Sequence, residues 1–381
     1  MSDYRDHLSD PTYEPSRTTA KSSKRKKKKT LRTIKRTLLV VVTTLMLVII
    51  SLLGVLFTVF RGPSESMRRL VTLSFYETSA MKWVPGLFMP AEQVEGYISS
   101  RAEAAVSVTN TDLIQIDTTH TGVGLHGYTQ IRGQEGNGSG DAEVVSDPDA
   151  DGDGIIIEEV NGPTYSGYMM IVQDPTRLFL GTPEKFGDEG LTIYEMVEKY
   201  ECVAAINGGG FIDPNGTGNG GLPDGIVVNE GVIVNGADEG PQDMVGFDDR
   251  GILLVGRMSP EECMEMHMQY GVHFGPSLII DGVPQNDSGE FFSGVNPRTA
   301  IGQRSDGAVL MLVIDGRQIY SPGATLVDLV DVMLEYGAVN ASNLDGGSST
   351  MMIYNGELVN HCASVIGPRK IPTCFLVRPQ E

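Results

Sequence analysis

The chain has 381 residues, 40% of them hydrophobic, enough to bury one large core even after a membrane anchor is set aside. Its charge is lopsided: residues 1–36 hold 12 of the 29 Lys and Arg but 4 of the 49 Asp and Glu, which leaves the remainder at −28. A domain that acidic repels nucleic acid and anionic lipid headgroups, so its partners are expected to be neutral or cationic unless a local arginine cluster overrides the field.

The N-terminal segments read as an anchor. From Leu38 to Phe60 no residue is charged, and at 1.5 Å rise per residue the run reaches about 34 Å, enough for a bilayer's hydrocarbon core. Residues 37–60 are therefore expected to be a transmembrane helix. A secretory signal has a shorter apolar region, and RGPSES after the run has no small-x-small cleavage site. The cationic block KSSKRKKKKTLRTIKR, residues 21–36, keeps the basic tail 1–36 cytoplasmic by the positive-inside rule. Beside a spanning helix this block is topogenic, not a nucleic-acid patch. The expectation is a single-pass protein of the cell membrane with its main domain extracytoplasmic.

Residues 61–120, with stretches such as AEQVEGYISSRAEAA, read as a stalk or docking helices. A soluble fragment from about Ala105 is accordingly expected to keep the activity. Residues 121–154 are rich in Gly and Asp and read as a flexible connector. At its end DPDADGDGIIIE fits the calcium-loop pattern letter for letter, with Asp147, Asp149, Asp151 and Glu158 as candidate ligands. No amphipathic helix precedes it and a strand begins near Ile155. A solvated acidic loop is the first reading and a looser divalent-metal (calcium) site the second; no other cofactor is expected.

From residue 155 to 381 short apolar runs alternate with Gly, Asn, Asp and Pro, the pattern of strands: GIIIEEV, YMMIVQ, RLFLG, CVAAIN, GIVVNEGVIV, GILLVG, SLIIDG, AVLMLVIDG, MMIYNGELVN and CFLV. Two segments have helical spacing, 191–200 and 325–337, the second with Leu326, Leu329, Val330, Met333 and Leu334 on one stripe and Gly337 as its stop. Strands and helices do not alternate regularly. The fold class is therefore α+β, with a mixed, largely antiparallel sheet and packed helices. The four cysteines form no Cys-x-x-Cys pair and read as inert core thiols. The Met-rich segment ECMEMHMQYGVHFGP, with His267 and His273, reads as a packed helix ending before Gly271.

Three loops after apolar strands combine Gly with Asn, Asp, Arg or Ser, as a site on a rigid sheet would. In AAINGGGFIDPNGTGNGG, Asn207 ends a strand and Gly208, Gly209 and Gly210 let backbone approach a ligand. In NPRTAIGQRSDGAVLMLVIDGRQ, Arg298 offers a planar fork for phosphate, and Asp315 and Arg317 follow the next strand; Asp306-Gly307 is a hairpin turn. In NASNLDGGSSTMM, Asp345 precedes Gly346, Gly347, Ser348 and Ser349, a carboxylate beside backbone N–H and hydroxyl donors. No G-x-S-x-G frames these serines, so a nucleophile elbow is excluded. His361 lies close after the third loop and is a secondary candidate.

These stretches, INGGGF, NPRTAIG with IDGR, GATLVDLVDVMLEYGA, NLDGGSSTMM and the closing GPRKIP, together resemble the phosphodiester glycosidase family over roughly residues 155–379. The resemblance implies hydrolysis of a sugar-1-phosphodiester, with Asn207, Arg298, Asp315 and Asp345 catalytic. It implies substrate contacts from Gly209, Arg317, Gly346, Gly347, Ser348, Ser349 and Arg369. The family's final turn often has three glycines after its Asp; here Ser348 stands third. A carbohydrate phosphodiester of the cell envelope or an exopolysaccharide is the expected substrate, and nucleic acid is not an expected partner. A non-catalytic glycan-binding or exopolysaccharide-assembly protein of the same fold is the alternative, and an interaction protein working through its basic tail is a third.

Overall fold

The structure, a computed structural model, describes residues 17–99, 108–116, 149, 151–214, 218–285, 293–364 and 367–380. It divides into two compact units, Met1–Gly62 and Pro63–Glu381. The first contains helix α1 (Arg17–Arg61), of which Thr30–Arg61 is long and apolar enough to cross a membrane. Helices α2 (Glu65–Tyr76) and α3 (Ala91–Ser99) belong to the second unit.

Three antiparallel sheets build the second unit. The largest has the order β1-β2-β13-β12-β14-β10-β11, formed by Ile155–Asn161, Ser166–Val172, Val309–Ile314, Arg298–Arg304, Ala338–Leu344, Ser277–Ile280 and Val283–Pro284 respectively. A second has the order β16-β15-β4-β17-β3, formed by Glu357–Leu358, Met352–Tyr354, Ala204–Asn207, Cys374–Val377 and Leu178–Gly181. The third has the order β6-β5-β9-β7-β8, formed by Val232–Asn235, Val227–Asn229, Met268–His273, Gln242–Asp248 and Leu253–Met258. With the helices added, this is the expected α+β class.

Strand β13 shows why the sheets stack. Its run Val-Leu-Met-Leu-Val-Ile is buried on both faces. Val309, Met311 and Val313 point into a core shared with Leu180, Ile206 and Phe375 of the second sheet and Val245 and Val255 of the third. Leu310, Leu312 and Ile314 point the other way, against the helix Leu326–Glu335 through Leu329, Val330 and Met333. Period-two alternation of uniformly apolar residues thus demands cover on both sides. That helix begins at a capping box, in which Thr325 Oγ1 accepts from Asp328 N–H and Asp328 accepts from Thr325 N–H. Leu334 lies outside the buried stripe, 39% exposed.

The Met-rich segment differs from its expectation. It splits into a one-and-a-half-turn helix, Pro260–Glu265, and strand β9 from Met268, because β9 is needed between β5 and β7 and tertiary pairing overrides local helical spacing. All four cysteines are free thiols, and burial pushes Cys202 up to about 11.

Leu312 is fully buried between β13 and the Leu326–Glu335 helix. Leu312→Ala should lower the unfolding free energy by about 2–5 kcal/mol through lost burial and cavity formation. Thermal unfolding of the detergent-solubilised chain, followed by circular dichroism, measures the loss.

Candidate active site

Antiparallel register brings the predicted residues to one end of the large sheet. Strand β12 starts at Arg298, paired with Ile314 at the end of β13, and its Thr299 pairs with Leu344 at the end of β14. Asp315 and Asp345 are the next residues of those two strands, so they flank Arg298 on either side. Asn207 ends β4 in the neighbouring sheet and reaches across: its Nδ2 donates to the Asp345 carbonyl (2.6 Å), while its Oδ1 accepts from Thr299 Oγ1 (2.8 Å) and Met351 N–H (3.2 Å). Asn207 is 1% exposed, so its work is to hold these chains together.

Asp345 remains partly accessible, within a ring of donors and charges. Desolvation pushes its pKa up to about 6, against the Ser349 hydroxyl, the charge of Arg369 and the Gly346 N–H, which all favour the ionised form. Gly347, in the 3-10 turn Gly347–Ser349, has φ +63°, and a Cβ there would stand 3.0 Å from Arg317 Nη2. The glycine gives that turn its left-handed backbone and leaves room for the guanidinium. Arg317 itself has a left-handed backbone (φ 60°), and its Nη2 is 3.4 Å from Thr78 Oγ1. Its pKa is drawn down first by desolvation and then by neighbouring Arg298, with Asp345 pulling the other way. Arg369 forms an ion pair with Asp213 (2.7 Å) and lies over the Phe211 ring at 4.9 Å. Gly209 sits behind this group, its N–H donating to Thr373 Oγ1 (3.1 Å) and its Cβ position closed off by His273 backbone at 2.8 Å. Ser348 is half-buried on the turn.

Asp315 and Arg298 are more committed to the protein than the sequence implies. Asp315 is 2% exposed, and its carboxylate accepts from His361 N–H (2.8 Å), Asn360 Nδ2 (3.2 Å) and the His361 ring. Arg298 donates through Nη2 to Glu77 (2.8 Å) and the Gly294 carbonyl (2.6 Å), and through Nε to the Ala324 carbonyl (3.2 Å).

Residues 200–378 match the family model for phosphodiester glycosidases. Over that stretch the chain is similar to that family. SPbeta prophage-derived uncharacterized protein YomE of Bacillus subtilis (strain 168) is 28% identical to it over 217 residues, covering 55% of this chain and 32% of that protein. Mouse N-acetylglucosamine-1-phosphodiester alpha-N-acetylglucosaminidase is 26% identical over 252 residues, 58% of this chain and 47% of that enzyme. The chain therefore spans less than half the length of either relative. The zebrafish N-acetylglucosamine-1-phosphodiester alpha-N-acetylglucosaminidase catalytic domain, solved in a form auto-inhibited by its pro-peptide, superposes with a TM-score of 0.50 at 22% identity, covering 59% of this chain and 82% of that one. At that identity the match shows a shared fold.

Several residues around the candidate site escaped the sequence reading. Glu77, on the turn after α2, accepts from Arg298, from Asn296 Nδ2 (2.9 Å) and from Gly294 N–H (3.2 Å), and Ser74 Oγ accepts from Val295 N–H (2.9 Å). Nothing in its local sequence marks Glu77; its partners lie more than 200 residues away. Asp213 was passed over within a turn-rich loop. Asn360, whose amide joins Asp315 to the Thr350 carbonyl, ends the run MMIYNGELVN, whose pattern marks a strand and no site.

The acidic loop lies elsewhere. Asp149, Asp151 and Asp153 bring carboxylate oxygens within 4.8 Å of one another and could hold a metal ion. Asp147 falls outside the described residues. Glu158 is not part of the group: it is on β1 and accepts from Tyr336 Oη (2.9 Å), because a strand and not a helix follows the loop. The loop leads into Ile155, which pairs with Val172, itself opposite Val309 at the start of β13. Asp315 follows the far end of that strand, about 17 Å further on, so an ion on the loop is remote from the arginines.

The Glu77 and Arg298 side chains are 16% and 9% exposed. Glu77→Ala should cost about 3–5 kcal/mol by stranding a buried guanidinium, and adding Arg298→Met should recover part of it; a thermal double-mutant cycle measures both. Asp345 has a second signature. Its folded pKa of about 6 exceeds the unfolded value of about 3.9, so this group favours the fold at low pH and that contribution is lost as pH rises from about 4 to 6. Asp345→Asn should therefore melt above wild type at pH 8, with the gap shrinking towards pH 4.

Proposed function

We propose that the domain hydrolyses a sugar-1-phosphodiester, releasing the sugar and leaving a phosphomonoester on the other moiety. The observation that carries this reading is Asp345, a half-buried carboxylate at a strand end, grouped with Arg317 and Arg369 and braced by Asn207. The substrate diester bears one negative charge and the departing monoester two, so guanidinium attraction grows along the reaction. Interactions that strengthen towards the transition state accelerate the chemistry. The anomeric carbon meanwhile becomes oxocarbenium-like, and an ionised Asp345 stabilises that charge.

Within this reading Arg317 and Arg369 hold the phosphate, and the Gly346–Ser349 turn offers N–H and hydroxyl donors to substrate oxygens. Arg298 has two of its three guanidinium nitrogens committed to protein acceptors. It contributes positive charge and keeps the β12 start in place. Asn207 is a positioning residue that fixes the backbone carrying Asp345.

The cationic block ahead of the apolar helix supports a cytoplasmic N-terminus and an extracytoplasmic domain. On that side the phosphodiester-linked glycans available are those of the cell envelope or an exopolysaccharide, which we take as the substrate class.

The test is the full chain in detergent micelles, incubated with a panel of nitrophenyl- and nucleotide-linked sugar-1-phosphodiesters and assayed for free sugar. Wild type should release sugar, with kcat/KM falling as pH drops below about 6, where Asp345 takes up its proton. Asp345→Asn should lose about 10²-fold or more in kcat. Undiminished turnover in that variant contradicts the reading.

A further inference from the structure

We infer that His361 is the proton-transfer group of this site and that Asp315 holds it in its working tautomer, an assignment that rests on the glycosidase reading above. Asp315 was expected to meet substrate itself. Its placement argues otherwise, since at 2% exposure its carboxylate is enclosed by Asn360 and His361. Burying a carboxylate is costly unless donors converge on it, and here they do. The backbone N–H of His361 binds Oδ1 at 2.8 Å and the ring Nδ1 lies 3.1 Å from Oδ2.

A carboxylate at this distance accepts from the ring, so in the neutral imidazole the tautomer that fits has its hydrogen on Nδ1 and its lone pair on Nε2. The imidazole is not buried with its partner. Its side chain is 61% exposed, steadied at one edge by the Tyr320 ring in T-shaped contact at 6.3 Å. Among the described residues no protein atom bonds to Nε2. A base oriented from behind by a carboxylate, with the other nitrogen open, is the arrangement of an activated nucleophile or water.

Placement agrees with that role. Asp315 follows β13 directly, two residues before Arg317 and across the strand pair from Arg298. Asn360 ties the same segment to the Thr350 carbonyl, at the end of the turn that follows Asp345. The imidazole is thus carried by the loops that carry the arginines.

The step balances without a further reactant. A water oxygen bonds to the anomeric carbon as the bond from that carbon to the phosphate oxygen breaks, and the electron pair of that bond leaves on the phosphomonoester. One water proton moves to His361 Nε2. Asp315 stays ionised and offsets the imidazolium, which then returns its proton to solvent.

The alternative is an exposed histidine whose backbone N–H merely satisfies a buried carboxylate. Substitution at an exposed side chain spares the fold, so activity can be read cleanly. In the full chain, with the best substrate of the panel, His361→Gly should lower kcat by about 10²–10⁴-fold while KM moves by less than about threefold. Added imidazole should then restore kcat by about tenfold or more, because a free base can occupy the vacated space. Asp315→Asn should lower kcat without imidazole rescue, since the ring is present but wrongly set. An active wild type whose His361→Gly variant keeps its kcat, or loses it beyond rescue, overturns the assignment and leaves the glycosidase reading standing. A wild type inert towards the whole panel overturns both.

Discussion

Asn207 spends both ends of its side chain on other loops, donating to the Asp345 carbonyl and accepting from Thr299 and Met351. Its own strand lies in one sheet, while Thr299 belongs to another. One amide therefore fixes the distance between two sheets at the point where the candidate chemistry sits. Such a bond in a dry interior has no water to replace it, so losing either partner leaves unsatisfied groups on several strands at once. The other site residues take their positions from this junction. Asp345 inherits its place through the backbone, and Asp315 and Arg298 through the register of β12 against its two neighbours.

Electrostatics sets the second constraint. The region beyond residue 36 is strongly acidic, yet Arg298, Arg317 and Arg369 gather near one carboxylate. Left uncompensated they would repel one another, and each is in fact managed differently. Arg298 is neutralised by Glu77 and Arg369 by Asp213, while among the described residues the Arg317 guanidinium has the hydroxyl of Thr78 and the more distant pull of Asp345. The arginine least engaged with the protein is thus the one with most to offer an anion. A local cationic group within an acidic domain also narrows the ligand choice: anions are attracted only at short range, where geometry can select among them.

The fold class was legible because it rests on local pattern. A run such as Val309–Ile314 can be little else than a central strand, and the stripe of Leu326, Leu329, Val330 and Met333 marks a helix. Asn207, Arg298, Asp315 and Asp345 stood out because polar residues immediately after apolar strands are unusual and because their motifs match a family. What the sequence concealed was the division of labour among them. That Asp315 is fully enclosed and Asp345 only half-buried depends on which loop folds over which, and no spacing encodes it. Glu77 was illegible for the same reason, its partners being remote in the chain. The calcium-loop letters misled at Glu158 because the pattern presumes a following helix, whereas the chain continues into β1, where Tyr336 takes the carboxylate.

The segment between the apolar helix and the domain is consequently not a free tether. Residues from Ser74 to Thr78 are woven into the loops around Arg298 and Arg317. A protease that frees the domain intact has the short stretch between Arg61 and Glu65 to cut; incision a few turns further on would sever the chain from a piece of the candidate site's own wall. Separation of the apolar helix and disruption of the candidate site are divided by fewer than twenty peptide bonds.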